Sequence, residues 1–305
     1  MASLRSTVYK SLLRHTVRGQ PVTYERILRT RARASSGFLG RLLGHPEHLN
    51  YVTYPCASGA AARGVWAGSS DAQHIIYYLH GGGYIIGSPH THFSLVSALC
   101  ARADMKAFIP DYRLAPENPF PAGLDDSLDG YRWLLDQGYS ANRIHFAGDS
   151  AGGGLALATC LRARDEGIPV PRSVSLLSPW TDLTASGASY RERATRDPML
   201  DVRRVPEAVA LYVGEHDPKH PYISPLWADL SGLPPVSVQV GTEEILHSDA
   251  VSLVEKIRQE GGQAELTIWP DMPHVHQLAH RFLPEGRAAI HQLAQNLRAH
   301  QLDPK

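Results

Sequence analysis

The chain has no charge of one sign to spare: across 305 residues, 30 Lys and Arg balance 30 Asp and Glu. Without a net field there is no global attraction to a polyanion, so neither nucleic acid nor a membrane is expected as a partner. Cysteine is scarce, and the three present, Cys56, Cys100 and Cys160, are odd in number and far apart. That excludes a disulfide framework, and a reduced, cytoplasmic setting is the expectation. No apolar run reaches the roughly 18 residues needed to span a bilayer, and the N-terminus lacks the apolar core of a secretory signal. Internal repeats and low-complexity tracts are absent too. What remains is ordinary globular composition, 43% hydrophobic and 20% charged, enough for one large α/β domain with an accessory part.

Basic residues crowd the start. Arg5, Lys10, Arg14, Arg18, Arg26, Arg29, Arg31, Arg33 and Arg41 face the single acid Glu25. With its serines the segment also reads as an organellar transit peptide. Val8, Leu12, Leu13, Val17, Ile27 and Leu28 fall at helical spacing, however, so the segment is predicted to lie as amphipathic helices over an active-site mouth.

Downstream, alternating runs at 51–55 and 64–67 predict an antiparallel hairpin. Apolar strands are then predicted at 75–79, 106–110, 143–147, 174–177, 236–240 and 265–269. Helical stretches at 91–103, 124–137, 155–164, 248–260 and 286–298 separate them. Apolar strands alternating with amphipathic helices require a mainly parallel sheet covered on both faces. Residues 179–235 break the alternation with one helical piece at 205–213. A connection that long in a compact domain is usually functional, and it is expected to join the N-terminal segment as a cap.

The most informative motif is Gly148-Asp149-Ser150-Ala151-Gly152. It follows an apolar strand and precedes a helix, the context of a nucleophile elbow, where small neighbours let strand and helix approach while the hydroxyl is pushed outward. A Gly-rich turn with no function is the blander reading. Against it stands His80-Gly81-Gly82-Gly83-Tyr84 directly after the strand at 75–79. Consecutive glycines leave backbone N–H groups unobstructed; Gly82, Gly83 and Ala151, the residue after the serine, would donate to an oxyanion. A phosphate cradle fits poorly, because neither the P-loop ending nor a dinucleotide fingerprint is present.

A base is expected in the loop after the last strand. There His274 is the candidate and His276 its rival, and a metal pair is improbable without a third ligand. The orienting acid should follow the strand at 236–240, where Glu243, Glu244 and Asp249 compete. Asp249 could instead be a first-turn helix acid. The residues alone leave Glu243 and Glu244 open.

Taken with Asp111-Tyr112-Arg113-Leu114-Ala115-Pro116-Glu117, these motifs make the chain from about residue 50 onward resemble the bacterial hormone-sensitive-lipase family of α/β-hydrolase carboxylesterases (family IV). The resemblance implies an eight-stranded α/β-hydrolase sheet with a cap from residues 1–48 and 180–228 on a catalytic domain at 49–305. It also implies Glu244 as the acid, thirty residues before His274, where most members carry Asp. A cofactor-free serine esterase for small, short-acyl esters follows, with Ser150, His274 and Glu244 as triad. A lactonase with the same triad, or a non-catalytic ligand-binding relative, is the alternative. Tyr84, Trp180, Tyr190, Met199, Leu200 and Trp227 could line its pocket or be cap core. His80 is expected to shape the oxyanion loop, Asp149 to anchor the elbow and Arg113 to brace its loop. A homodimer through the edge at 265–269 and 286–298 is suggested by analogy.

Overall fold

The computed structural model describes residues 3–34, 48–57, 59 and 61–301. Arg41 and the rest of 35–47 lie outside the described residues. One eight-stranded sheet runs in the order β1-β2-β4-β3-β5-β6-β7-β8. Its strands are β1 Tyr51–Pro55, β2 Ala61–Gly68, β3 Ile75–Leu79, β4 Lys106–Pro110, β5 Ile144–Asp149, β6 Ser173–Leu177, β7 Val236–Gly241 and β8 Ala264–Trp269. β1, β2 and β4 pair antiparallel, and the remainder are parallel. Each predicted strand is present; β2 is longer than the alternation at 64–67 implied because its outer half pairs with the edge strand β1.

Why β3 reads as an unbroken apolar run is visible in its packing. Ile75, Tyr77 and Leu79 enter one core, while Ile76 and Tyr78 enter the other. The second core is closed by α3 (Pro89–Ala103) and α9 (Pro284–Ala299), through Leu95, Leu99, Ile290 and Leu293. The first is closed by α4 (Ala122–Asp136), α5 (Ala151–Asp165) and α8 (His247–Gln259), through Leu128, Leu155 and Leu253. Each fully buried side chain of this size contributes about 1.5–3 kcal/mol, so neither helical layer can be removed without exposing a core.

Strand register aligns the chemistry. Leu79 pairs with Gly148, Asp149 with Leu177, Leu177 with Gln239, and Gly241 with Trp269. All four parallel strands therefore end level with β3, and their following loops converge on one edge of the sheet, where ligands of open parallel sheets bind. Over that edge lie α1 (Leu4–Thr16), α2 (Tyr24–Ala34) and the long excursion after β6, which carries α6 (Ala188–Glu192) and α7 (Val205–Val213). The short α6 was not foreseen, since five residues give no readable period. The two segments touch: Arg14 Nη2 donates to Arg196 O (3.1 Å), Arg18 Nη2 to Ala194 O (2.5 Å) and Val22 N to Glu207 Oε2 (2.9 Å). Arg113 grips Asp126 with Nε and Nη2 at 2.8–3.0 Å, the bracing its loop position implied.

Candidate active site

Ser150 stands between β5 and α5 at φ 55°, ψ −126°. A non-glycine residue in that region costs on the order of 1–3 kcal/mol and survives only where its surroundings over-determine it. Here its N–H donates to Leu177 O (2.9 Å), and its carbonyl accepts from Gly153, Gly154 and Trp180 N–H groups at 2.9–3.1 Å. The flanking glycines are needed for the close approach: a Cβ on Gly148 would sit 2.3 Å from Gly152 O, and one on Gly152 would sit 2.2 Å from Leu79 O.

His274 comes down from the loop after β8. Its Nε2 lies 2.9 Å from Ser150 Oγ, and its Nδ1 lies 2.7 Å from Glu244 Oε2. An ionised carboxylate only accepts, so Nδ1 carries the ring hydrogen and Nε2 presents a lone pair to the hydroxyl. Burial pushes the His274 pKa down, but the hydrogen bond and charge of Glu244, helped by Asp197 and Asp149, push it up further and leave it above the ordinary 6.5.

Glu244 is fully buried, and its Oε1 accepts from Ser178 Oγ (2.8 Å) and Gly241 N (2.6 Å). The competing acids are engaged elsewhere. Glu243 is bound by Arg196. Asp249 is a first-turn acid of α8, yet its Oδ2 accepts the Thr181 and Asp182 N–H groups, each at 2.9 Å. Burial raises the Asp249 pKa to about 8. The rival His276 packs beside Trp269, ring centroids 5.5 Å apart, and burial lowers it to about 4.

The glycine loop after β3 is shaped from behind. Gly82 has φ 124°, and a Cβ there would meet Ile86 O at 2.1 Å. Among the turn and cap hydrogen bonds of the described residues, none uses the N–H of Gly82, Gly83 or Ala151. Asp149 Oδ1 accepts from Gly81 N (3.0 Å) and Tyr78 Oη (2.8 Å), tying loop to elbow. Burial raises the Asp149 pKa, and His92, Tyr78 and the Gly81 N–H together overcome it, so the carboxylate titrates below the usual range. His80 stacks on Tyr112 with centroids 4.3 Å apart; burial, then His92, lowers it to about 3. It is a neutral wedge.

A cavity of about 490 Å³ opens over Ser150 and His274. Trp180, Met199 and Leu200 line it, but Tyr84 and Tyr190 do not. Tyr84 stacks on Tyr212 at 3.7 Å, and Tyr190 is buried with its hydroxyl on Asp182 O. Both belong to the core, which is where large aromatics with a satisfied face go first. Trp227 is half-exposed with Nε1 donating to Asp182 Oδ1 (3.1 Å) and does not line the cavity.

Sequence reasoning missed three contributors. Ser178 steadies Glu244, and its signal was a polar residue directly after a buried strand. Asp197, fully buried, takes the N–H groups of Met199 and Leu200 (2.8 Å each) on Oδ1 and that of Ile245 (2.9 Å) on Oδ2, joining the cavity wall to the acid's loop. His92 lines the cavity and lies 3.3 Å from Asp149. Nothing in the sequence marked it among sixteen histidines. Among the described residues no group of three His, Cys, Asp or Glu could hold a metal ion.

A mainly parallel sheet of this order, with a strained serine turn after β5 and a glycine loop after β3, defines an α/β hydrolase. A family model described as alpha/beta hydrolase fold matches residues 76–278. An acetyl-hydrolase of Streptomyces hygroscopicus is 40% identical, covering 90% of this chain and 89% of that protein. The crystal structure of EstE5 soaked with p-nitrophenyl butyrate is 38% identical with a TM-score of 0.87, covering 98% of this chain and 99% of that one. An esterase from the bacterial hormone-sensitive lipase family is 37% identical with a TM-score of 0.88, covering 99% of this chain and all of that one. This chain belongs to the bacterial hormone-sensitive-lipase family of α/β-hydrolase carboxylesterases and is a carboxylic ester hydrolase.

Proposed function

We propose that the enzyme cleaves short-acyl esters through an acyl-enzyme on Ser150. The observation that carries this is the continuous chain Ser150 Oγ, His274 Nε2, His274 Nδ1, Glu244 Oε2, with contacts of 2.9 and 2.7 Å. Ser150 Oγ attacks the ester carbonyl as His274 Nε2 takes its proton, and Glu244 holds the tautomer and stabilises the imidazolium. The carbonyl oxygen, now an oxyanion, is met by the N–H groups of Gly82, Gly83 and Ala151. His274 returns the proton to the leaving alcohol. Water then repeats the sequence on the acyl-enzyme, freeing the acid and restoring Ser150.

Of the expected cap at 1–48 and 180–228, residues 3–34 act together with 180–228 over the domain at 49–305, a division supported by the contacts of Arg14, Arg18 and Val22 with 194–207. The free thiols Cys56, Cys100 and Cys160 are in keeping with a cytoplasmic enzyme. The edge strand β8, with α9 behind it, offers a homodimer surface, which light scattering would check.

Hydrolysis of p-nitrophenyl esters from acetate to dodecanoate, by wild type and Ser150→Ala, tests the proposal. Turnover should peak at short chains and vanish in the folded variant. Persistent turnover in Ser150→Ala overturns it.

A further inference from the structure

The first helices carry a charge that ester hydrolysis leaves unused. Between residues 3 and 34, eight Arg and Lys face Glu25 alone, in a chain whose total charge is zero. Arg29 pairs with Glu25, and Arg31 with Glu117. Arg5, Arg14 and Arg18 instead donate to the main-chain carbonyls of Phe282 (3.3 Å), Arg196 (3.1 Å) and Ala194 (2.5 Å). A carbonyl fixes a guanidinium without neutralising it. Of the nearby acids, Asp201 pairs with Arg203 and also faces Arg18, Glu207 is taken by Arg204 and Val22 N, and Glu285 is held by the neutral Ser3.

In the same stretch apolar side chains come to the surface. Leu4 is 86% exposed, Val8 61% and Leu12 54%, while Leu13 on the opposite face is buried. Their spacing of four puts the three on one outward face of α1, with Arg5 and Arg14 on its flanks. With Val17, Tyr24 and Leu28 elsewhere in the segment, six of the eleven large exposed hydrophobics of the described residues lie between 4 and 28. The patch adjoins the catalytic cavity, whose wall takes up at Thr16 and Val17, where α1 ends.

Bare leucines between unneutralised cations suit neither of the simpler occupants. Nucleic acid binds to cations and has no use for an exposed aliphatic stripe. A second copy laid face to face would set the same cations against each other. An apolar stripe flanked by Arg on a surface helix is instead complementary to anionic headgroups over acyl chains. We infer that α1 and α2 dock the enzyme reversibly on an anionic lipid surface, so that the cavity mouth receives esters held there. The docking stands on the patch itself; only the delivery of esters rests on the hydrolase reading.

Co-flotation with vesicles tests this. Wild type should float with phosphatidylglycerol/phosphatidylcholine vesicles at low salt, stay behind with pure phosphatidylcholine, and be released by half-molar salt. Each cation near such a surface raises partitioning about fivefold, so Arg5→Ser should lower it about fivefold. A second variant, Leu4→Ser/Val8→Ser/Leu12→Ser, removes the stripe and keeps the charge, and it should also be released. Both variants should hydrolyse p-nitrophenyl butyrate in buffer as wild type does, yet lose rate on p-nitrophenyl octanoate carried in anionic vesicles. Folded wild type that stays in solution, that binds neutral vesicles equally well, or that floats undiminished in both variants overturns the docking. A wild type that floats without hydrolysing the soluble ester leaves docking standing and overturns the hydrolase reading.

Discussion

At the scale of single residues, the site turns on which of two adjacent glutamates reaches the base. One residue of register along 243–244 decides it. Gly241 N and Ser178 Oγ hold one oxygen of Glu244, leaving the other for His274, while Glu243 is bound by Arg196. A pH prediction follows. In the proposed mechanism hydrolysis needs neutral His274, so kcat/KM should fall as pH drops through the His274 pKa, which Glu244 holds above 6.5 against the opposing effect of burial. Glu244→Gln removes the carboxylate's charge and leaves the burial. The acid limb should move to lower pH and kcat should fall by about a hundred- to ten-thousandfold, as when a triad acid is neutralised. Glu243→Gln, measured in parallel, should leave both the limb and kcat near wild type. If Glu243→Gln alone shifts the limb, the acid has been assigned one residue too late.

Among the elements, two buried aspartates fasten the excursion after β6 to the α8 end of the catalytic loops. Asp197 ties Met199 and Leu200 to Ile245, and Asp249 in the first turn of α8 ties the start of the excursion at Thr181 and Asp182. Burial raises Asp197 to about 6 and Asp249 to about 8. For an acid whose folded pKa exceeds its unfolded value of 3.8, the native state binds the extra proton. Its stability is then greatest below 3.8 and declines as pH rises toward the folded pKa. Asp249→Asn keeps an acceptor for Thr181 and Asp182 and cannot ionise. Thermal unfolding from pH 5 to 9 should show wild type losing stability relative to this variant, with the gap widening up to about pH 8 and then levelling. A constant gap would mean that Asp249 is already ionised in the folded protein throughout that range, its pKa not raised by burial. The fastening could not be read from sequence, because an Asp on a loop reads as a turn residue or a cap until its burial is known.

For the whole molecule, the sequence was legible where a local period or a motif carried the information. β3 and β4 begin and end where their apolar runs do, and the Ser150 and His80 motifs stand at strand ends because small residues in that context have few other uses. Long-range partnership left no such mark. The helical spacing at the N-terminus pointed to a cover over the active-site mouth, but nothing local says that Thr16 to Thr30 are the residues lining the cavity, or that Tyr84 would turn from it onto Tyr212. The cavity therefore has two halves with separable duties. Ser150, His274 and Glu244 are linked in series through His274, whereas Val17, Val22 and Ile27 supply apolar wall. Butyrate has two more methylenes than acetate, each worth about 0.8 kcal/mol when buried, so full burial of the acyl chain favours butyrate by roughly tenfold. If the N-terminal helices provide that burial, deletion of residues 1–34 should reduce the butyrate-to-acetate ratio of kcat/KM toward one while acetate turnover persists. Circular dichroism would check that the sheet is retained, and an undiminished ratio would place the acyl chain against the sheet-side wall instead.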